Sequence, residues 1–137
     1  MREYRTCSVQ ETEQLASEFA KELKRGDVIA FTGGMGAGKT AFVRGLAKGL
    51  GVSGEVSSPT YAIVNEYRGN PALYHFDMYR VESSEDLFTT GYYDYLDEGE
   101  SILAVEWSEN ITDSLPEQTI YIQSLIHISE PTRLLSI

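Results

Sequence analysis

Gly33, Gly38, Lys39 and Thr40 stand in the spacing G-x-x-x-x-G-K-[ST], a spacing suited to binding phosphate. Glycines let a backbone bend until consecutive N–H groups point at one anion. A lysine placed here reaches the β and γ phosphates of a nucleoside triphosphate, and the next hydroxyl is placed for Mg²⁺. The candidate cradle is Gly33, Gly34, Met35, Gly36, Ala37, Gly38, Lys39 and Thr40, with Ala41 following. Average residue frequencies give this pattern in roughly 0.5% of chains of this length, so context must strengthen it. A near-continuous apolar run, Val28-Ile-Ala-Phe-Thr32, precedes it as a strand buried on both faces. An amphipathic segment with Phe42, Val43, Leu46, Ala47 and Leu50 on one side follows it as a helix that ends at Gly51. Strand, loop and helix is the arrangement the chemistry requires.

Transfer of a phosphoryl group also needs an acidic side chain near the metal or the attacking water. In a parallel sheet such groups sit at the carboxyl ends of strands. Glu106 ends the apolar run Ile102-Leu-Ala-Val105, and Asp77 lies within Leu73-Tyr-His-Phe-Asp-Met-Tyr79. For either, a carboxylate that faces water or pairs with an arginine such as Arg80 is an equal alternative. Ser58, Pro59 and Thr60 form a stiffened loop in which Thr60 could contact Mg²⁺ or the terminal phosphate; an ordinary turn before a strand is the simpler reading. His75 reads as a packed or hydrogen-bonded strand histidine, Trp107 as a core residue, and Cys7 as an unreactive thiol.

The elements that must position these residues follow in order. Ser8-Val-Gln-Glu11 is a capping box that opens a helix with Leu15, Ala16, Phe19, Ala20 and Leu23 inward, expected to run to Gly26. Residues 61–67 and 72–79 are two strands joined by Arg68-Gly-Asn-Pro71, an antiparallel hairpin. Ser83 to Thr90 is a short helix with Asp86 three residues after its cap; Ser101 to Trp107 a buried strand; Glu109 to Leu115 a short helix; Thr119 to Gln123 a strand. The alternation predicts an α/β sandwich of the P-loop NTPase kind, with a mostly parallel central sheet and one antiparallel hairpin. Residues 124–137 break this logic: Ser129-Glu-Pro-Thr-Arg133 interrupts any strand and leads to no new periodic segment.

The 137 residues suit one domain. No apolar run approaches the roughly 20 residues of a membrane span. The amino terminus lacks a secretory apolar stretch, and the single cysteine can form no internal disulfide. A cytoplasmic protein without membrane contact is expected. The formal charge of −10 repels phosphate backbones at long range, so any role with nucleic acid runs through a partner or a local basic patch.

Four segments together carry a resemblance: Gly-Gly-Met-Gly-Ala-Gly-Lys-Thr at 33–40, Ser-Pro-Thr-Tyr at 58–61, His-Phe-Asp-Met-Tyr-Arg at 75–80 and Val-Glu-Trp at 105–107. Their order and spacing over residues 1 to 123 resemble the bacterial ATPase family that assists threonylcarbamoyladenosine formation in tRNA, TsaE/YjeE. The resemblance implies ATP binding and slow hydrolysis with Mg²⁺. It implies partnership with a transferase subunit and its paralogue, which modify the adenosine beside the anticodon, so that tRNA is met indirectly. Thr40 and Glu106 match the family's Mg²⁺ positions, Asp77 its aspartate near the phosphates, and Ser58-Pro59-Thr60 a switch-like segment. Thr6 loosely matches a nucleotide-contacting position. Two departures stand out. Gly34-Met35 replaces the common Asp-Leu, at positions that mainly offer backbone. From Ser124 onward the chain does not resemble the family, and Leu125 to Arg133 resembles a translated adapter or read-through tail, so an ATPase domain at 1–123 and a non-family tail at 124–137 are expected.

A small-molecule kinase of the P-loop class is the main alternative, but Arg44, Arg68, Arg80 and Arg133 do not cluster into the clamp such enzymes need. A GTPase fits less well, because Asn110-Ile-Thr-Asp113 lacks the lysine of the guanine-reading motif. A module in which ATP binding only licenses assembly would use the same residues.

Overall fold

The computed structural model describes residues 3–32, 36–52, 64–126 and 133–136, with backbone alone at 36–38, 124–126 and 133–136. After the short strand β1 (Glu3–Thr6), helix α1 (Val9–Ala20) opens as its capping box predicts. The Ser8 hydroxyl accepts from Glu11 N at 3.1 Å, and the Glu11 carboxylate accepts from Cys7 N. The helix ends at Ala20, six residues short of Gly26, where it was expected to stop. The Asp27 carboxylate takes the Lys24 N–H at 2.9 Å, a local bond that competes with a further helical turn. Gly26 instead turns the chain at φ 91° and donates its N–H to Ser101 O at 3.0 Å.

Strand β2 (Val28–Thr32) and helix α2 (Gly36–Gly49) follow, then β3 (Val64–Tyr67) and β4 (Leu73–Asp77). Helix α3 (Ser84–Thr89) is capped by Ser83, and helix α4 (Tyr92–Glu98) lies beyond it. Strand β5 (Ile102–Glu106), a 3₁₀ segment (Ser108–Ser114), β6 (Ile120–Ile126) and β7 (Arg133–Ser136) complete the order. The seven strands form one sheet in the order β1-β7-β6-β2-β5-β4-β3. Its four central strands are mutually parallel, and both edges are antiparallel. The expected antiparallel hairpin is present as β3–β4, its second strand ending at Asp77 rather than Tyr79, with residues 61–63 outside the described ones. The other antiparallel edge was not foreseen. Residues 133–136 were read as leading to no further strand, yet β7 bridges β1 and β6, satisfying backbone groups on both sides. Strand pairing of that kind is invisible to local periodicity.

Two cores flank the sheet. On one face Ile29, Phe31, Leu73, Ile102, Ala104 and Ile122 pack against α1 and α2. On the other Val28, Phe76, Leu103 and Val105 pack against Leu87, Tyr92 and Ile111. Helix α4 had no place in the sequence reading. It is bounded by Gly91 and Gly99, both left-handed, and is held by Tyr92, whose hydroxyl donates to Ser114 O at 2.9 Å. Burial pushes that hydroxyl up to about 12, so it remains a donor at all ordinary pH.

Helix α2 is set against α1 by two glycines one turn apart. A Cβ at Gly45 would collide with the Glu13 carbonyl oxygen, and one at Gly49 would stand 2.5 Å from that of Ser17. Both obstacles are backbone, which cannot rotate aside. Gly45→Ala should therefore destabilise the protein by about 1–3 kcal/mol, the usual range for overpacking, although alanine is the better helix former. Urea unfolding measures this; equal or greater stability would mean the helices are not in such close contact.

Candidate functional site

The strands decide which side chains meet. Alternation along β4 puts Leu73, His75 and Asp77 on one face, and along β5 it puts Ile102, Ala104 and Glu106 there too. Leu73, Ile102 and Ala104 belong to the core under α1 and α2, so His75, Asp77 and Glu106 share the face that carries α2. Asp77 pairs with Glu106 in the parallel register, and β2 runs parallel beside β5. The carboxyl ends of β2, β5 and β4 therefore lie side by side, where open α/β sheets bind ligands.

Helix α2 begins at Gly36, within the glycine-rich segment, so Lys39 falls in its first turn and Thr40 directly after. The positive end of the helix dipole lies at the same place. Lys39 is only 5% exposed. Its ammonium lies 5.5 Å from the centre of the Trp107 ring, the first residue after β5. Lys39 thus sits beside the end of the strand that carries Glu106. Glu106 is 7% exposed, and its Oε2 lies 2.7 Å from His75 Nε2. Asp77 is half-buried, and its Oδ1 accepts from Tyr79 N at 3.0 Å, which fixes the carboxylate at the strand end. Ser108 donates to Phe31 O at 3.0 Å and ties the exit of β5 to the end of β2.

Trp107 is not the core residue the sequence suggested. It is 36% exposed and lies against Tyr79, the two rings tilted at 58° with centres 4.9 Å apart. Its backbone is left-handed, at φ 58° and ψ 41°, the only non-glycine positive φ among the described residues. A buried strand was read through to Trp107; the strand stops at Glu106, because this turn swings the chain off the sheet and sets the indole over Lys39. His75 is the buried, hydrogen-bonded strand histidine expected. Thr6 is buried with its hydroxyl 2.7 Å from that of Thr12, so it bonds to α1. Gly33, Gly34, Met35, Ser58, Pro59 and Thr60 lie outside the described residues; of Gly36, Ala37 and Gly38 the backbone alone is described.

A side chain in left-handed conformation costs roughly 1–2 kcal/mol that glycine escapes. Trp107→Gly should therefore be about 1 kcal/mol more stable than Trp107→Ala, against the usual order of these two residues. Paired urea unfolding curves test this; alanine at or above glycine would mean that the turn relaxes.

Comparison with known proteins supplies the relatives of this site. The family model described as "Threonylcarbamoyl adenosine biosynthesis protein TsaE" matches residues 6–133. A protein of Treponema pallidum named "tRNA threonylcarbamoyladenosine biosynthesis protein TsaE" is 39% identical over 115 residues, which cover 84% of each chain. A Bacillus subtilis protein of the same name is 41% identical over 121 residues, covering 87% of this chain and 74% of that one. Among solved structures, the crystal structure of Bacillus subtilis YdiB superposes with a TM-score of 0.80 at 32% identity, covering 98% of this chain and 82% of that one.

Proposed function

The chain belongs to the TsaE family, and from that premise we propose that it binds ATP with Mg²⁺, hydrolyses it slowly, and so supports threonylcarbamoyl modification of the tRNA adenosine beside the anticodon. The proposed partners are the transferase subunit and its paralogue, with tRNA met through them in the cytoplasm. No helix of the described residues is long and apolar enough to cross a membrane.

The observation that carries this reading is Lys39, a buried lysine in the first turn of the helix that follows a glycine-rich segment. An ammonium withdrawn from water needs negative charge nearby, and a triphosphate on the loop meets that need. The donor set fits a hard cation: a hydroxyl at Thr40 and a carboxylate at Glu106, with phosphate oxygens for the remaining positions. Lys39 would hold the β and γ phosphates, Thr40 and Glu106 would hold Mg²⁺, and Asp77 would orient the water or the switch-like loop Ser58-Pro59-Thr60. Bound Mg²⁺ supplies charge neutralisation to the transferring phosphoryl group. The arginines weigh against a kinase clamp: Arg44 pairs with Glu13 at 2.7 Å on α1, and Arg68 lies 3.8 Å from Glu66 on β3.

Lys39→Ala should abolish ATP binding and leave folding largely intact, as read by titration with labelled ATP and by circular dichroism. Unchanged affinity would remove the assignment. Glu106→Gln should keep nucleotide binding and slow hydrolysis by about 10²–10³-fold, the usual effect of deleting one group that stabilises transition-state charge. Hydrolysis at the parental rate in the presence of the transferase partners, with unchanged Mg²⁺ dependence, would move the metal role elsewhere, first to Asp77.

A further inference from the structure

His75 lies in the middle of β4 and has no exposed surface. One ring nitrogen, Nε2, is 2.7 Å from Glu106 Oε2. The other, Nδ1, is buried with no hydrogen-bond partner among the described residues. An unsatisfied buried polar atom is destabilising, whereas a leucine in this strand would avoid that cost altogether. Its neighbours in register, Ala104 on β5 and Asn65 on β3, supply no opposite charge. Among the described residues the ring is therefore held through a single polar contact, and that contact is the most buried acidic side chain described.

The direction of the bond follows from the chemistry of the pair. An ionised carboxylate only accepts, so Nε2–H donates to Oε2. A glutamate has three rotatable side-chain bonds, and freezing them at a strand end needs a fixed partner. His75 is such a partner, because β4 is paired on both sides and the ring is enclosed. Ligating carboxylates are commonly held in this way by a second group that never touches the metal.

We propose that His75 is a positioning residue: it pins the Glu106 carboxylate through Oε2, so that Oε1 is presented to the divalent cation that enters with ATP. This rests on the reading of Glu106 as a cation ligand. His75 touches neither nucleotide nor metal, and its effect passes wholly through Glu106.

The test is the Mg²⁺ dependence of labelled-ATP binding, which needs no turnover. His75→Leu removes the donor and fills the space with an apolar group. It should leave metal-free ATP affinity at the parental value and raise the Mg²⁺ concentration at half-effect by roughly 10–100-fold, the range for loss of such supporting bonds. His75→Gln carries an amide N–H at nearly the distance of Nε2 and should restore the midpoint to within a few-fold of the parent. His75→Asn is polar but too short to reach, and should behave like the leucine variant. In a Glu106→Gln background His75→Leu should add nothing further, because the two residues act as one unit. A parental midpoint in His75→Leu, equal impairment of His75→Gln and His75→Leu, or additive effects in the double variant would overturn the proposal. Should the leucine variant fail to fold, the glutamine–asparagine pair decides: equal midpoints for those two would overturn it. A parental protein whose ATP binding ignores Mg²⁺ would instead remove the cation site itself, and the role of His75 with it.

Discussion

The parallel register of β4, β5 and β2 is the constraint on which the site depends. Asp77 is paired with Glu106, and β2 is locked to β5 two strands from the hairpin. A slip of one residue in β5 would turn Glu106 to the opposite face, among Phe76, Leu87 and Ile111, and would carry Val105 to the face under α1 and α2. That register is enforced by apolar side chains on both faces, since Ile102 to Glu106 is buried at every position. The chemistry of the strand end is thus fixed by packing some distance below it. The helix side has a matching constraint: Gly45 and Gly49 let α2 lie close on α1, which sets where its first turn, and so Lys39, meets the strand ends.

Between strand and helix stands Trp107. Its left-handed backbone is the strained point of the described chain, and strain in such a place is stable only where the surroundings impose it. They do so through Ser108, bonded to Phe31 O, and through Asn110, which donates to Met78 O at 2.9 Å. These two bonds tie the exit of β5 to the exits of β2 and β4. The three strand ends are cross-linked by side chain to backbone contacts just beyond the sheet, so Glu106 and Asp77 keep their relation without any bond between themselves.

Much of this was legible in the sequence because it is local. The capping boxes at Ser8 and Ser83, the buried run of β2, the inward face of α2 and the hairpin each follow from a few adjacent residues. The candidate site was marked by equally local signals: the glycine-rich spacing for Lys39 and Thr40, and strand-end position for Asp77 and Glu106. What was not legible depends on partners distant in sequence. β7 exists because β1 and β6 offer backbone on both sides of it. Helix α4 is a run of aromatic and acidic residues with no helical stripe, ordered by the burial of Tyr92 and by the T-shaped contact of its ring with Phe76. Trp107 carried no sign of its positive φ, since nothing in its type favours one. The partnership of His75 with Glu106 spans 31 residues, and only the register of the strands brings them together.

The same separation of local from global would let so acidic a chain take the polyanion proposed for it. The formal charge of −10 creates a repulsive field, but at physiological salt that field is screened beyond roughly 8 Å. A triphosphate is about that size and, bound as proposed, would be governed by the groups in contact with it, the helix dipole and the buried Lys39 among them. A nucleic-acid backbone is far longer and would lie along a chain bearing nearly twice as many acidic as basic groups, twenty-one against eleven. Burying the one loop cation beneath an indole favours the small anion that can enter over the long one that cannot. On the proposed function, a protein built in this way would respond to a nucleotide and leave contact with RNA to its partners, a division of labour that follows from where its charges are placed.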